Sequence, residues 1–217
     1  MKKRIVTLAA SVLFLGITSS VSIAGSFDGP FMQVGIGFAN AQTKVVTNWP
    51  DINIDTTATE SGIIGQIAGG YSQSWGRYFV AASGYYVIGD QKAGSIHMSI
   101  PAFGANTYDF KNTNTWGITI DPGVNLNDST TAYLKLGYGQ TATKGSELFK
   151  NVIGPYNKTY GGFSYGAGFK HLLTPNIYCM AEILQTDYSS ETFNFPDGSI
   201  TFKPSSLIGT VGVGYKF

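Results

Sequence analysis

The chain has 217 residues, with 14 Lys and Arg against 13 Asp and Glu, and only 12% of it is charged, about half the share of a soluble domain. This near-neutral balance leaves no basic footprint for nucleic acid, and 14% aromatic residues with so little charge exclude a self-repelling disordered chain. One Cys and two His exclude a disulfide framework and a Cys/His-rich zinc site.

Met1-Lys2-Lys3-Arg4 is a basic start. No charge follows until Asp28, residues 5–17 are mostly apolar, and Ser22-Ile23-Ala24 offers small residues to a peptidase. The segment reads as a secretory signal peptide over residues 1–24, cleaved between Ala24 and Gly25. A retained membrane anchor is the alternative, weakened by Ser and Gly in its second half. Loss of Lys2, Lys3 and Arg4 would turn the formal charge of +1 into −2. Residues 25–217 are expected to form one domain.

Beyond that segment no helical period appears. Period-2 alternation recurs, the mark of strands with one apolar face. Residues 31–40 put Met32, Val34, Ile36 and Phe38 on one face and Gln33, Gly35, Gly37 and Ala39 on the other. Residues 63–71 set Ile63, Ile67 and Tyr71 against Ile64, Gln66 and Ala68. Residues 78–87 are apolar on both faces, so their orientation stays open. Residues 115–127 alternate Trp116, Ile118, Ile120, Pro122, Val124 and Leu126 with Gly117, Thr119, Asp121, Gly123 and Asn125. Residues 131–140, 162–171 and 207–217 repeat the pattern, the last ending Val213, Tyr215, Phe217. In residues 177–184 the carboxylate of Glu182 decides the parity. Pro122 cannot donate to a ladder, so a bulge or missing bond is expected there.

These segments predict eight antiparallel strands. Short links fall near 72–77, 127–130 and 172–176, and long ones near 41–60, 88–114, 141–161 and 187–204. Strict alternation of short and long is the pattern of an up-and-down barrel with turns at one rim and loops at the other. A soluble barrel would point the apolar faces inward. A membrane barrel inverts this, and a water-facing exterior would need more charge than 12% of the chain supplies. Aromatics near the strand ends (Phe31, Phe38, Tyr71, Tyr78, Trp116, Tyr138, Phe163, Phe169, Tyr215, Phe217) suit two headgroup girdles. The fold class expected is therefore an all-β, eight-stranded transmembrane barrel. Its interior would be just wide enough to be filled by side chains. Asp121, Lys135, Lys170 and Glu182 then face the lumen from consecutive strands and are expected to form a charge network, because isolated buried charges cost several kcal/mol.

Asp121-Pro122-Gly123, the turn Leu126-Asn127-Asp128-Ser129, the strand Tyr133-Leu134-Lys135-Leu136-Gly137-Tyr138, Leu173-Thr174-Pro175-Asn176 and the ending Val211-Gly212-Val213-Gly214-Tyr215-Lys216-Phe217 come in a specific order. In that order they resemble the OmpA-like, opacity-type outer-membrane β-barrels of Gram-negative bacteria. The resemblance implies export to the outer membrane and no cofactor. It implies contact with outer-membrane lipid and lipopolysaccharide, and a monomer. Val213, Tyr215 and Phe217 are similar to the C-terminal signal read by the barrel-assembly machinery. No peptidoglycan-binding segment is expected.

The function expected is a non-enzymatic surface barrel whose loops touch lipopolysaccharide, host or cell-surface molecules. Trp49, Phe103, Tyr108, Tyr156, Phe193 and Phe195 are the aromatic contact candidates, unless the loops pack on themselves. A narrow channel is the alternative, since Gly-rich inner faces leave some room. A second alternative is a lipid A-modifying enzyme, because His97-Met98-Ser99 has a His-x-Ser spacing. That motif is expected in a long loop, with Asp109 the nearest acid downstream and none in register. His171 reads as interfacial. Asp51, Asp55 and Glu60 lack the spacing of a calcium loop.

Overall fold

The computed structural model describes residues 27–49, 52–89, 91–100, 104–145, 156–196 and 198–217, with the backbone alone for 49, 52–54, 58, 91–100, 104–110, 145, 156, 195 and 200. The signal segment and its cleavage site at Ala24 and Gly25 lie outside the described residues, as do Asp51 and Phe103.

Ten strands appear among the described residues: β1 (Gly29–Trp49), β2 (Ile52–Trp75), β3 (Tyr78–Ile88), β4 (Gln91–Ile100), β5 (Gly104–Asn127), β6 (Thr130–Gly145), β7 (Tyr156–Leu172), β8 (Ile177–Tyr188), β9 (Glu191–Phe195) and β10 (Gly198–Lys216). All pairs are antiparallel neighbours, and β10 returns to β1 from Phe31↔Lys216 to Asn48↔Ser199. Eight strands thus close a ring, while β4 hangs on β5 and β9 on β10. Closure is what lipid demands, since hydrocarbon leaves no partner for an open strand edge.

The expected count of eight is corrected to ten. The long links at 41–60, 88–114, 141–161 and 187–204 are largely strand. Crossing a bilayer takes about 9–11 residues, yet β2 and β5 have 24 each. Their outer halves continue the hairpins above the membrane. There the inward positions stay buried, as at Asn112, Thr141 and Thr143, but most are filled by polar side chains, so the apolar/polar contrast between the two faces fades from the sequence. The segments Lys44-Val45-Val46-Thr47 and Ile52-Asn53-Ile54 keep only β-branched residues as a strand signal.

The short rim is built by local chemistry. Gly76 takes φ +61°, a left-handed conformation that suits glycine, in the β2–β3 turn. In the β5–β6 turn the Asn127 side chain accepts from Ser129 N at 2.9 Å, an Asx turn. Thr174 Oγ1 accepts from Ile177 N at 3.0 Å to fold the β7–β8 link.

The faces follow the alternation. Met32, Ile36, Ile63, Ile118, Ile120 and Leu134 are exposed to the surround, 57–88% by residue, as a lipid-facing wall requires. The open orientation of β3 resolves with Phe79, Ala81, Tyr85 and Val87 inside. Phe31 is a correction: it shares the parity of Gln33, is buried, and points into the lumen rather than to a girdle. At Pro122 the β5–β6 ladder passes from Ile120↔Leu136 to Gly123↔Tyr133 with unchanged register, so the defect is missing pairing without a bulge. The register shifts lie on either side of it, between Asn125 and Asn127 near the turn and between Thr113 and Trp116 higher up, where Asn114 takes φ +52°.

Candidate functional site in the barrel lumen

The lumen is layered. Its short-turn end holds Phe27, Phe31, Phe79, Tyr133, Tyr178 and Met180 in one apolar cluster. Phe27 sits edge-on to Phe79 at 6.5 Å and to Tyr178 at 6.2 Å, and Ser72 Oγ donates to the Phe27 carbonyl, tying the entering chain to β2. A second cluster of Ala39, Ile64, Tyr85, Val87, Leu184 and Ile208 lies further along.

The glycines of the inner faces are slots for rings. Tyr133 stands opposite Gly168, Tyr178 opposite Gly214, and Tyr85 opposite Gly117. A Cβ on Gly168 would lie 2.8 Å from Tyr133 Cζ, and one on Gly117 2.6 Å from Tyr85 Oη. The space that sequence alone leaves open to a channel is occupied by these aromatic side chains.

Asp121 (β5), Lys135 (β6), Lys170 (β7) and Glu182 (β8) all point inward, each no more than 7% exposed. Lys135 Nζ lies 3.1 Å from Asp121 Oδ2 and 3.3 Å from Glu182 Oε1. Tyr133 Oη donates to Glu182 Oε1 at 2.6 Å, and Gln33 Nε2 donates to it at 3.2 Å. Tyr178 Oη donates to Gln33 Oε1 at 3.1 Å, and Ser83 Oγ to Asp121 Oδ2 at 3.2 Å. The structure therefore brings three of the four together as an acid–lysine–acid bridge. The gap in the ladder at Pro122 adjoins it.

Lys170 differs. Among the described residues no carboxylate is within ion-pair reach of it. Its ammonium lies 3.9 Å from the Phe31 ring centroid, 5.1 Å from that of Tyr178 and 5.4 Å from that of Tyr133. The faces of aromatic rings carry negative quadrupole density that attracts a cation. The expectation that every lumen charge needs an opposite charge missed this solution. The inward parity of Phe31 was the available signal.

Above the ions the lumen becomes hydroxylic. Thr115 and Thr141 share a 2.8 Å bond, Ser164 and Thr186 another at 2.8 Å, and Thr143 Oγ1 donates to Asn112 Oδ1 at 2.7 Å.

The other sequence candidates scatter. His97 and Ser99 lie in β4, paired with Thr107 and Ala105, rather than in a loop. The same ladder sets Asp109 opposite Ser95, two positions from His97, a register that sequence reading missed. The side chains of His97, Ser99 and Asp109, and of Trp49, Tyr108, Tyr156 and Phe195, lie outside the described ones. Phe193 packs edge-on against Phe202 at 5.9 Å within its own hairpin. His171 Nδ1 bonds Thr130 Oγ1 at 2.9 Å on the exposed short-turn rim. Asp55 pairs with Lys44 at 3.0 Å. No group of three or more metal-ligating side chains occurs among the described residues. Val213 and Tyr215 line the outer face of β10 and Phe217 follows its end, exposed, with the rings of Tyr215 and Phe217 edge-on at 5.0 Å.

An apolar exterior, a closed antiparallel ring and a lumen that holds buried charged groups define an integral outer-membrane β-barrel. Residues 7–217 match the family described as outer membrane protein beta-barrel domain, and the chain belongs to that family. It is a protein of the Gram-negative bacterial outer membrane. Among solved structures it is similar to the outer membrane protein OprG of Pseudomonas aeruginosa, with 13% identity and a TM-score of 0.53 over 90% of this chain and 99% of that one. It is also similar to Ail, the attachment invasion locus protein of Yersinia pestis (18% identity, TM-score 0.44, 87% and 99% covered). A third similar structure is the outer membrane protease OmpT of Escherichia coli (12% identity, TM-score 0.47, 92% and 100% covered). No curated protein matches the sequence.

Proposed function

We propose that this chain is a non-enzymatic surface barrel with a sealed lumen, whose outward work is done by the hairpins that rise above the membrane. The observation that carries this reading is the filling of the lumen. An aromatic layer, the Asp121–Lys135–Glu182 bridge and a second apolar layer succeed one another along the axis. Ions crossing it would have to displace rings seated on glycines and desolvate a bridge already made. The extended hairpins support the other half of the reading. β1 and β2 stay paired as far as Trp49↔Ile52, giving a rigid platform for surface contacts rather than slack loops. Val213, Tyr215 and Phe217, facing outward beside the closing seam, suit a signal read by the assembly machinery before β10 meets β1.

Planar-bilayer recording of the folded protein tests the seal. No stepwise current is expected at physiological salt. Reproducible single-channel steps from protein of verified fold would replace this reading with that of a narrow pore.

A further inference from the structure

Above the membrane the ring does not stay closed. β3 leaves β2 after the pair Gly65↔Ile88, at Gly89 with φ +109°, and its continuation β4 bonds only to β5. β4 runs close to β1 and β2 without pairing with either. Ala41 and Val45 of β1 are buried while Gln42 and Lys44 are exposed, so what covers this hairpin lies on its inner face and not beside β2. Among the described residues, the edge of β2 over residues 52–64 therefore has no strand bonded to it.

One bond fixes the direction of the backbone groups on that edge. Phe217 N donates to the Pro30 carbonyl, so even-numbered residues of β1 turn their backbone groups to β10 and odd-numbered ones to β2. The β1–β2 register runs unbroken from Gly29↔Ser72 to Trp49↔Ile52 and pairs odd with even. Even-numbered residues of β2 thus bond β1, and odd-numbered ones face away from it. The bond from Asn125 N to the Arg77 carbonyl, on the far side of β3, agrees with this alternation. Asp55, Thr57, Thr59, Ser61 and Ile63 therefore turn N–H and C=O to the empty side, and all five are exposed. Native edges are guarded by proline, lysine or a bulge. Residues 52–64 hold no Pro, Lys or Arg, and three of them are Thr, a good strand former.

We propose that this edge is a docking site for an extended segment of another protein, which adds to β2 as a strand in the place that β3 vacates. The edge selects a polypeptide, because a backbone offers donor and acceptor together at the repeat of the strand. Residues 39–64 carry Lys44 against Asp51, Asp55 and Glu60. Two copies of this hairpin would set like charges against each other, so a neutral or basic segment fits the edge better than a second copy does. A Cβ on Gly62 would meet no atom within 4 Å, which leaves room on the inner face for a side chain of the added strand. The site rests on the reading that the hairpins do the outward work, and it names how they hold a partner.

The probe is a fluorescent peptide of alternating Thr and Val with a Lys at each end. Anisotropy reads its affinity for the full chain folded in nanodiscs, and NMR reads amide exchange in the same sample. Without peptide, the amides of Asp55, Thr57, Thr59 and Ser61 exchange fast and those of Thr56 and Glu60 slowly. Bound peptide protects the fast set. Thr57→Pro removes one outward donor without touching the β1 ladder and weakens binding about tenfold or more. Thr57→Ala keeps the backbone and keeps the affinity. N-methylation of all the peptide amides, which removes the donors and leaves the side chains, abolishes binding. Should Thr57→Pro lose the heat-dependent gel shift of a folded barrel, the two peptides decide on wild type alone. The proposal is overturned if the parent peptide does not bind, if the N-methylated one binds equally well, or if Thr57→Ala costs as much as Thr57→Pro. Protection of the fast set that rises with barrel concentration alone would make the occupant a second copy and overturn it too. Ion conduction through the lumen would end the reading of a sealed barrel and leave each of these outcomes readable.

Discussion

The two lysines of the lumen sit on neighbouring strands at similar burial, and they are solved in opposite ways. Lys135 stands between two carboxylates at 3.1 and 3.3 Å. Lys170 stands over Phe31 at 3.9 Å with two tyrosine rings near it. Both keep a cation out of water, but only the first makes other groups depend on it. Asp121 and Glu182 both take their nearest opposite charge from Lys135. The rings around Lys170 would be equally buried with a neutral side chain in its place. Burial alone therefore does not tell how much a lumen charge matters; the identity of its neighbours does.

The largest effect follows for Lys135→Met. It strands two buried acids, and removing one partner of a buried ion pair costs about 3–5 kcal/mol. Urea unfolding of the protein in lipid vesicles reads the loss. Glu182→Gln in the same background should recover part of it, with a coupling of about 1–3 kcal/mol in the double-mutant cycle. Additive effects would show that the bridge is a contact without energetic meaning. A smaller loss is expected for Gly168→Ala, because the new Cβ would press on the Tyr133 ring at 2.8 Å from Cζ. Overpacking of this kind costs about 1–3 kcal/mol. Tyr133 also holds Glu182 at 2.6 Å. A Gly168→Ala protein as stable as wild type would mean that the ring moves freely and the lumen is looser than its packing implies.

The membrane-crossing part of this fold was legible because water and lipid impose opposite demands on alternate residues. Trp116, Ile118 and Ile120 against Thr115, Thr119 and Asp121 can be read only one way. Residues 78–87 defeated the same reading, since Phe79, Tyr85 and Val87 are apolar yet inside. Apolar plugging of the lumen erases the contrast on which the pattern depends. The hairpin extensions were missed for the converse reason: around Asn112 and Thr143 the inward side chains are buried but polar, so no apolar/polar contrast marks the strand. Of the lumen charges, parity placed all four inside. It could not assign partners, which depend on side chains reaching across strands. Lys135 reaches Asp121 on one neighbour and Glu182 two strands away. The ring cage of Lys170 was hidden by reading Phe31 as a girdle residue. One step of parity from Gln33 would have placed it correctly.

The smallest effect belongs to Lys170→Met, and it is the sharpest test of the contrast. Methionine keeps an unbranched stem of similar length and a sulfur that packs well against rings. What it gives up is the attraction between ammonium and π faces, about 2 kcal/mol at a desolvated site. What it relieves is the cost of holding an ammonium away from water, several kcal/mol per buried ion. These terms oppose each other, and no carboxylate within 4 Å is left without its partner. Stability within about 1 kcal/mol of wild type is therefore expected, by the same urea titration in vesicles. A loss as large as that of Lys135→Met would show that Lys170 neutralises the Asp121–Glu182 pair at longer range. The four charges would then behave as one unit rather than as a bridge and a caged cation.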